Sequence, residues 1–480
     1  MLIILLLLIP FLGGALTLLM PENSARLTAI ASSIAILIVA AIICYFYLNN
    51  TNIEFISFDR VWIGQLGAHF SIEVKHSLQA LMVLLTAITF PFIFLFFINK
   101  EPKNKNIFYG LMLLAELGLL GVFISKDALL FYGFWEIALI PVYFLSSLYG
   151  GERRVPVTFK FFVYTFAGSL LMLIGIIYLY QHTGPTHSFS LYSFIEAGRS
   201  LPLETQSWLF WVLFVAFAIK MPVFPFHTWQ PDAYEQSATP VTVVLSALMV
   251  KMGLFAVLFW LIPSVTMGAQ EWMNVVIFLS VTGIVYASIL AIAQSNIKRL
   301  VAYSSIAHIG LMCAAIFSQH NLGWQGTLIQ MFNHGINIMG MWFLVAVLEN
   351  RLQTQDMNQM GGVAKVAPKF TIALVLISMS NIALPLTCGF VGEFMMLNGL
   401  FSGASSYSTA FTVVACLAVI LSAYYTLSMV RKVAYGELKE NTKKFNDLTN
   451  NEMFIIGLIM FIILALGFYP QWLLNWINII

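Results

Sequence analysis

Charge is what this sequence has least of. Only 9% of its 480 residues are Asp, Glu, Lys or Arg, and 60% are apolar, whereas a soluble globular domain carries about 25% charged residues. Water would not tolerate such a deficit, which excludes a soluble globular protein. Cysteine is scarce as well: Cys44, Cys313, Cys388 and Cys416 stand apart in apolar stretches without a CxxC pair. That argues against an iron–sulfur cluster, a structural zinc site or any other metal site on this chain. No GxGxxG follows a strand and no P-loop pattern occurs, so nucleotide binding has no support. No segment is long and polar enough to form a separate soluble domain, and no nucleic-acid partner is expected. Any redox chemistry in which the chain takes part requires cofactors held by another subunit.

What the sequence has in place of charge is long apolar runs. A spanning helix needs about 20 predominantly apolar residues. Runs of that kind occupy 2–20, 27–48, 78–98, 107–125, 128–149, 158–180, 208–226, 240–262, 272–293, 301–318, 323–349, 370–396, 407–434 and 453–474. The first, from Leu2, lacks a basic leading segment and an evident cleavage site near Pro21, so it reads as a retained span. In lipid only helices and closed barrels satisfy the backbone, and these runs are too long for barrel strands. The expected fold is therefore all-α, a polytopic membrane protein of about fourteen transmembrane helices.

Lys and Arg collect in short cytoplasmic loops. With these spans, one set of loops holds 17 of the 23 basic residues, among them Lys100, Arg153, Arg154, Lys298, Arg299, Arg431 and Lys439, and the opposite set holds 4. The asymmetry supports the span count and places both termini on the outer, periplasmic side.

The two remaining basic residues lie inside spans, with acids for company. Glu136 in FYGFWEIALIPVYFL, Lys220 in FVAFAIKMP, Lys251 in SALMVKMGLF and Glu393 in GFVGEFMML are charges in apolar surroundings. A charge at mid-membrane costs about 2.5–3.5 kcal/mol on the insertion scale, so such residues are functional candidates by default. His308 in YSSIAHIGLM and His334 in MFNHGINIMG add groups that titrate near neutral pH. The bland alternative is a side chain that snorkels to the interface, and it fits Lys220 best, because Met221 and Pro222 follow it. A lone histidine in a bundle is also often only a hydrogen-bonded core residue.

Proline placement adds to the case. Pro222 and Pro225 interrupt the helix just after Lys220, and Pro385 with Gly389 interrupts the one carrying Glu393. Broken membrane helices line polar cavities, and pairs at matching positions suggest repeats. Glu136 to Lys220 is 84 residues and His308 to Glu393 is 85, as two repeated units would give. Burial disfavours the charged form of a group and a nearby opposite charge restores it, so a Glu136–Lys220 pair would hold Lys220 charged, and separating the pair would release its proton towards Lys251, His334 or Glu393. Each proton moved against 100 mV needs about 2.3 kcal/mol, and this chain shows no energy source, so a partner must supply it.

At these residues the sequence resembles a known family. DALLFYGFWEIALIPVYFL, KFFVYTFAGSLLML, FAIKMPVFPFHTWQPDA, IKRLVAYSSIAHIG and LPLTCGFVGEFM are similar, in order, to the motifs of the antiporter-like membrane subunits of respiratory complex I, from about residue 80 to 436. The resemblance implies two antiporter-like five-helix repeats with broken helices. It divides the chain into N-terminal helices (1–106), a first repeat (107–262), a second repeat (263–436) and a C-terminal loop and helix (437–480). It also implies a proton path in which Glu136 pairs with Lys220, Lys251 is the central relay, His308 and His334 extend the axis, and Glu393 is the exit group.

Glutamate on the late broken helix is the M-type pattern of this family, whereas the L- and N-types usually carry lysine there. The chain stops at Ile480, soon after its last span and without the lateral helix typical of the L-type. The M-type is also similar to the mitochondrially encoded subunit four, and a bacterial inner membrane is the expected location. By the same resemblance this chain holds no cofactor. NADH, FMN, iron–sulfur clusters and quinone would belong to partner subunits, namely the peripheral redox arm, L-type and N-type neighbours and small membrane subunits, within membrane lipid. A subunit of a multisubunit sodium–proton antiporter, or of a membrane-bound hydrogenase, is the alternative that shares fold and motifs. A stand-alone solute transporter lacks an evident substrate cluster. Some positions depart from the family pattern: Lys75 and His76 lie where GxDG is often seen, Asn296 stands where aspartate often precedes the KR pair, and Tyr234 and Gln353 stand where histidine is common.

Overall fold

A computed structural model describes residues 2–99, 102–185 and 187–477; Lys100, counted above among the basic loop residues, lies outside them. The chain is built from α1 (Leu2–Leu19), α2 (Glu22–Leu48), α3 (Ser77–Phe96), α4 (Lys105–Ile124), α5 (Ala128–Tyr149), α6 (Arg154–Gln181), α7 (Leu191–Ser200), α8 (Leu203–Lys220) and α9 (Gln230–Gln236). There follow α10 (Thr239–Ser264), α11 (Thr266–Ile292), α12 (Ile297–Phe317), α13 (Asn321–Leu352), α14 (Pro368–Asn381), α15 (Cys388–Phe401), α16 (Ser408–Ala434), α17 (Asn450–Phe468) and α18 (Gln471–Ile477). Among the described residues, 13 helices are long and apolar enough to cross a membrane. The broken pair α14 and α15 supplies the fourteenth span of the sequence reading.

Helix starts follow local chemistry. Asp127 caps α5 by accepting from the backbone N–H groups of Leu129 and Leu130, and Asn296 does the same for α12 at Lys298 and Arg299. At α17 the Thr449 hydroxyl and the Glu452 carboxylate satisfy each other's backbone donors, a capping box.

Three features escape the apolar pattern. The expected span 208–226 is helical only to Lys220. Pro222 and Pro225 cannot continue a backbone ladder, and the chain turns through 221–229 before α9. Residues 57–73 form a hairpin, β1 (Ser57–Ile63) against β2 (Ala68–Glu73), turned through Gly67 at φ +60°. It is a small exception to an otherwise helical fold, docked on the start of α5, where Asp127 Oδ2 accepts from the His69 N–H at 2.9 Å. Beside it Glu73 pairs with Lys126 at 2.7 Å and Lys75 at 3.3 Å. Burial works against the Lys126 ammonium, but its bonds to Glu73 and Tyr192 hold it above its ordinary pKa. The third feature is the short helix α7 after α6.

Helices α10, α12 and α13 are buried along their lengths and form the centre. Around them α2, α6, α16 and α17 show apolar outer faces, such as Phe159, Ile174, Leu417, Ile420 and Phe461, as lipid or a membrane partner requires. Small residues let helices close up: a side chain at Gly118 of α4 would strike the Ala138 backbone of α5, and one at Gly399 of α15 would strike Gly323 of α13.

Candidate functional site

Lys220 is the last residue of α8 and is 2% exposed, so it does not snorkel. Among the described residues its ammonium has no hydrogen-bond acceptor, and it lies 5.5 Å from the centre of the Trp135 ring, a distance at which an aromatic face attracts a cation. Glu136 follows Trp135 on α5 and is half-buried, with Oε1 unpartnered. Glu136 and Lys220 form no ion pair within 4.0 Å, and Glu136 acts on Lys220 through space. The indole of Trp135 occupies the position next to the ammonium. The break after Lys220 is pinned by Trp229, whose Nε1 donates to the Ile219 carbonyl at 2.9 Å.

Lys251 lies at the middle of α10, fully buried, between two π-turns at Leu245–Met249 and Val257–Leu261. A π-turn disturbs the regular carbonyl ladder and often marks a functional site. The Ser246 carbonyl, in the first of them, accepts from Lys251 Nζ at 2.7 Å, and the same Nζ lies 2.9 Å from His334 Nδ1. The His334 ring is 5.4 Å from that of His308, whose Nδ1 lies 3.0 Å from Glu393 Oε1. His308 and Glu393 are 7% and 6% exposed. Thus α10, α13, α12 and α15 bring together four of the six residues expected from the sequence.

With Lys251 charged, Glu393 ionised and both rings neutral, these contacts correspond to one set of tautomers. A Lys251 ammonium donates to His334 Nδ1, which puts the ring proton of neutral His334 on Nε2. A Glu393 carboxylate accepts from His308 Nδ1–H, which leaves His308 Nε2 a free acceptor. Both Nε2 atoms are without partners among the described residues, one a donor and the other an acceptor across the ring-to-ring gap. Such a chain can pass protons by breaking and remaking N–H and O–H bonds in sequence.

A polar network borders the axis. Asn333 donates to the Cys388 carbonyl at 2.6 Å, at the reopening of the broken helix, and Asn337 to Asn381 at 3.3 Å. Asn381 and Tyr425 both reach the Ser304 hydroxyl, at 3.1 and 3.0 Å. On the face carrying the basic loops, Asp232 of α9 bonds Lys160 at 2.8 Å and Arg299 at 3.0 Å, and Arg299 also holds Glu235 at 2.8 Å. Asn296 donates to Glu235 and Gln355 there, an amide role that a carboxylate could not fill. Tyr234 is fully buried edge-on to Trp342, and Gln353 ends α13 in the left-handed region at φ 52°. His76 caps α3 together with Gln79.

The sequence reading missed two acids, one half-buried and one fully buried. Glu349 near the end of α13 pairs with the buried Lys298 at 2.8 Å and accepts from Gln355 at 2.7 Å. Glu116 of α4 is fully buried with both oxygens unpartnered among the described residues. The signal for it was present, one acid within LMLLAELGLLG. Among the described residues no three His, Cys, Asp or Glu side chains converge as metal ligands.

Residues 125–422 match the family described as NADH:quinone oxidoreductase/Mrp antiporter, TM. The chain is 35% identical to NADH-quinone oxidoreductase subunit M of Rhodobacter capsulatus over 460 residues, covering 94% of this chain and 88% of that one. With the subunit of the same name from Rickettsia prowazekii it shares 37% over 437 residues, 90% of this chain and 87% of that. It superposes on a chain of respiratory complex I from Thermus thermophilus with bound NADH at a TM-score of 0.88 and 28% identity, covering 100% of this chain and 98% of that. A chain of the Mrp complex from Dietzia sp. DQ12-45-1b gives the same TM-score, 0.88, at 18% identity over 99% of this chain and 96% of that. That last likeness speaks to fold alone.

Proposed function

The chain belongs to the NADH:quinone oxidoreductase/Mrp antiporter membrane-subunit family, and from that premise we propose that it is the M-type proton-translocating subunit in the membrane arm of an NADH:quinone oxidoreductase. The observation that carries this reading is the connected run from Lys251 through His334 and His308 to Glu393. Lys251 gives its proton to His334 Nδ1. His334 releases its Nε2 proton towards His308 Nε2, and His308 passes its Nδ1 proton to Glu393. Each group regains a proton from the one before it, and Lys220 supplies the first. Glu136 sets the charge state of Lys220 from beyond Trp135, so movement of α5 against α8 changes how firmly Lys220 holds its proton.

The work comes from elsewhere. NADH, FMN, iron–sulfur clusters and quinone belong to the peripheral arm and neighbouring subunits, and antiporter-like neighbours adjoin the apolar outer faces. The protein is membrane-embedded and multi-pass. The basic loops lie on the cytoplasmic side of a bacterial inner membrane, with both termini on the other. The units 107–262 and 263–436 act as two repeats, one presenting Lys220 at a helix break and the other Glu393 just beyond one. The test is to purify the tagged protein with its native partners in mild detergent and assay NADH:quinone reductase activity. Inhibitor-sensitive activity with co-eluting flavin and iron–sulfur subunits supports the assignment. An eluate without redox cofactors but with small membrane partners contradicts it in favour of a sodium–proton antiporter.

A further inference from the structure

Glu116 has no part in the path described above, yet it is the one fully buried acid here with both carboxyl oxygens unpartnered among the described residues. Its position is defined by neighbours at helical spacing. Tyr109, Glu116 and Phe123 lie seven residues apart and so form one stripe of α4. At one end of the stripe Tyr109 meets Phe94 of α3 edge-on, ring centres 5.5 Å apart, and at the other Phe123 meets Phe255 of α10 at 5.3 Å. Gly118 and Gly121, which face Ala138 and Phe134 of α5, lie on the opposite side of α4. Glu116 therefore turns away from the Glu136 helix and towards the seam between α3 and α10.

The levels also correspond. Helices α4 and α10 touch and run in the same direction, so counting two turns back along both from the Phe123–Phe255 contact pairs Glu116 with the register of Leu248, inside the first π-turn. Lys251 reaches back along α10 to the Ser246 carbonyl at 2.7 Å, so its ammonium lies against that same π-turn. Helix α3 packs on this π-turn. Its Leu85 also fills the space above Gly335, next to His334.

An ionised carboxylate taken out of water without a partner is strongly disfavoured, and in this conformation Glu116 has neither a donor nor a cation in contact among the described residues. We propose that Glu116 is a further proton-carrying residue of this subunit, serving Lys251 from the α4 side. It holds its proton while α3, α4 and α10 are packed as seen. When the seam opens, the Glu116 O–H bond breaks and the proton passes to a deprotonated Lys251 amine. The carboxylate left behind faces a new ammonium and is reprotonated when the next proton arrives. This inference rests on the proton-path reading above and adds a second donor to its central lysine.

The test uses the assembled complex in inverted membrane vesicles, scoring protons pumped per electron for Glu116→Gln and Glu116→Asp, with Lys220→Ala as control. Gln keeps the shape and loses the exchangeable proton; Asp keeps the acid. The expected result is a lowered ratio with Gln and recovery with Asp. A wild-type ratio for Gln, while Lys220→Ala abolishes pumping, overturns the Glu116 proposal alone. A wild-type ratio for both overturns the path as well. Infrared difference spectra of turnover decide the matter if Gln does not assemble. A carbonyl band of a protonated acid that shifts in Glu116→Asp supports the role, and its absence overturns it.

Discussion

At the scale of single residues, the axis depends on a few buried polar contacts. Lys251 has two acceptors, Ser246 O and His334 Nδ1. Replacing it by Met leaves both unsatisfied, at about 1–3 kcal/mol for each such buried group. Lys251→Met is therefore expected to lower the thermal midpoint of the purified complex and to stop proton pumping; unchanged pumping would remove Lys251 from the path. Glu393→Gln retains a hydrogen-bond acceptor for His308 but no proton site, so it is expected to assemble normally and pump poorly, measured as ΔpH formed per NADH oxidised. The charges themselves were readable from the sequence because an ion in an apolar run stands out. Their contacts were not, since Lys251 and His334 lie 83 positions apart. Trp135 was not legible as the group beside Lys220, because an aromatic in an apolar helix carries no signal of what it faces.

At the scale of elements, the buried ionisable residues gather where helices stop being regular. The prolines announced both breaks, although the first falls at Lys220 rather than within a longer span. The π-turns around Lys251 left no mark in the sequence: Leu245–Met249 contains neither proline nor glycine, and tertiary packing decides them. The hairpin was missed because its residues are polar and apolar by turns within a stretch too short for a span. Trp229 fastens the first break through a single hydrogen bond to the Ile219 carbonyl. Trp229→Phe keeps the ring packing and loses that bond, a cost of about 0.5–1.5 kcal/mol. A small fall in the thermal midpoint with reduced pumping efficiency is expected, and full efficiency would show that the break needs no such fastening. Asp232 joins Lys160 of α6 to Arg299 of α12. Asp232→Asn is expected to weaken the docking of α9, seen as faster amide hydrogen exchange across 230–236.

At the scale of the whole molecule, a centre of buried helices carries an ionisable line, and the outer helices face lipid and partners. The helical membrane class and the span count were legible because composition alone forbids a soluble chain. The lateral arrangement that brings α10, α12, α13 and α15 together was not, since apolar faces do not name their neighbours. Sidedness rests on the loop charges: with Cys416 replaced by Ser, a cysteine at Lys439 should react with a membrane-impermeant maleimide only in inverted vesicles, and one at Thr51 only in right-side-out vesicles. The opposite pattern would invert the topology. The most direct test of the central claim is the number of protons translocated per electron by the assembled complex carrying Lys220→Ala or Glu136→Ala, in inverted vesicles oxidising NADH. The proton-path account predicts that the ratio falls sharply in both; a wild-type ratio in either would contradict the path at its first step.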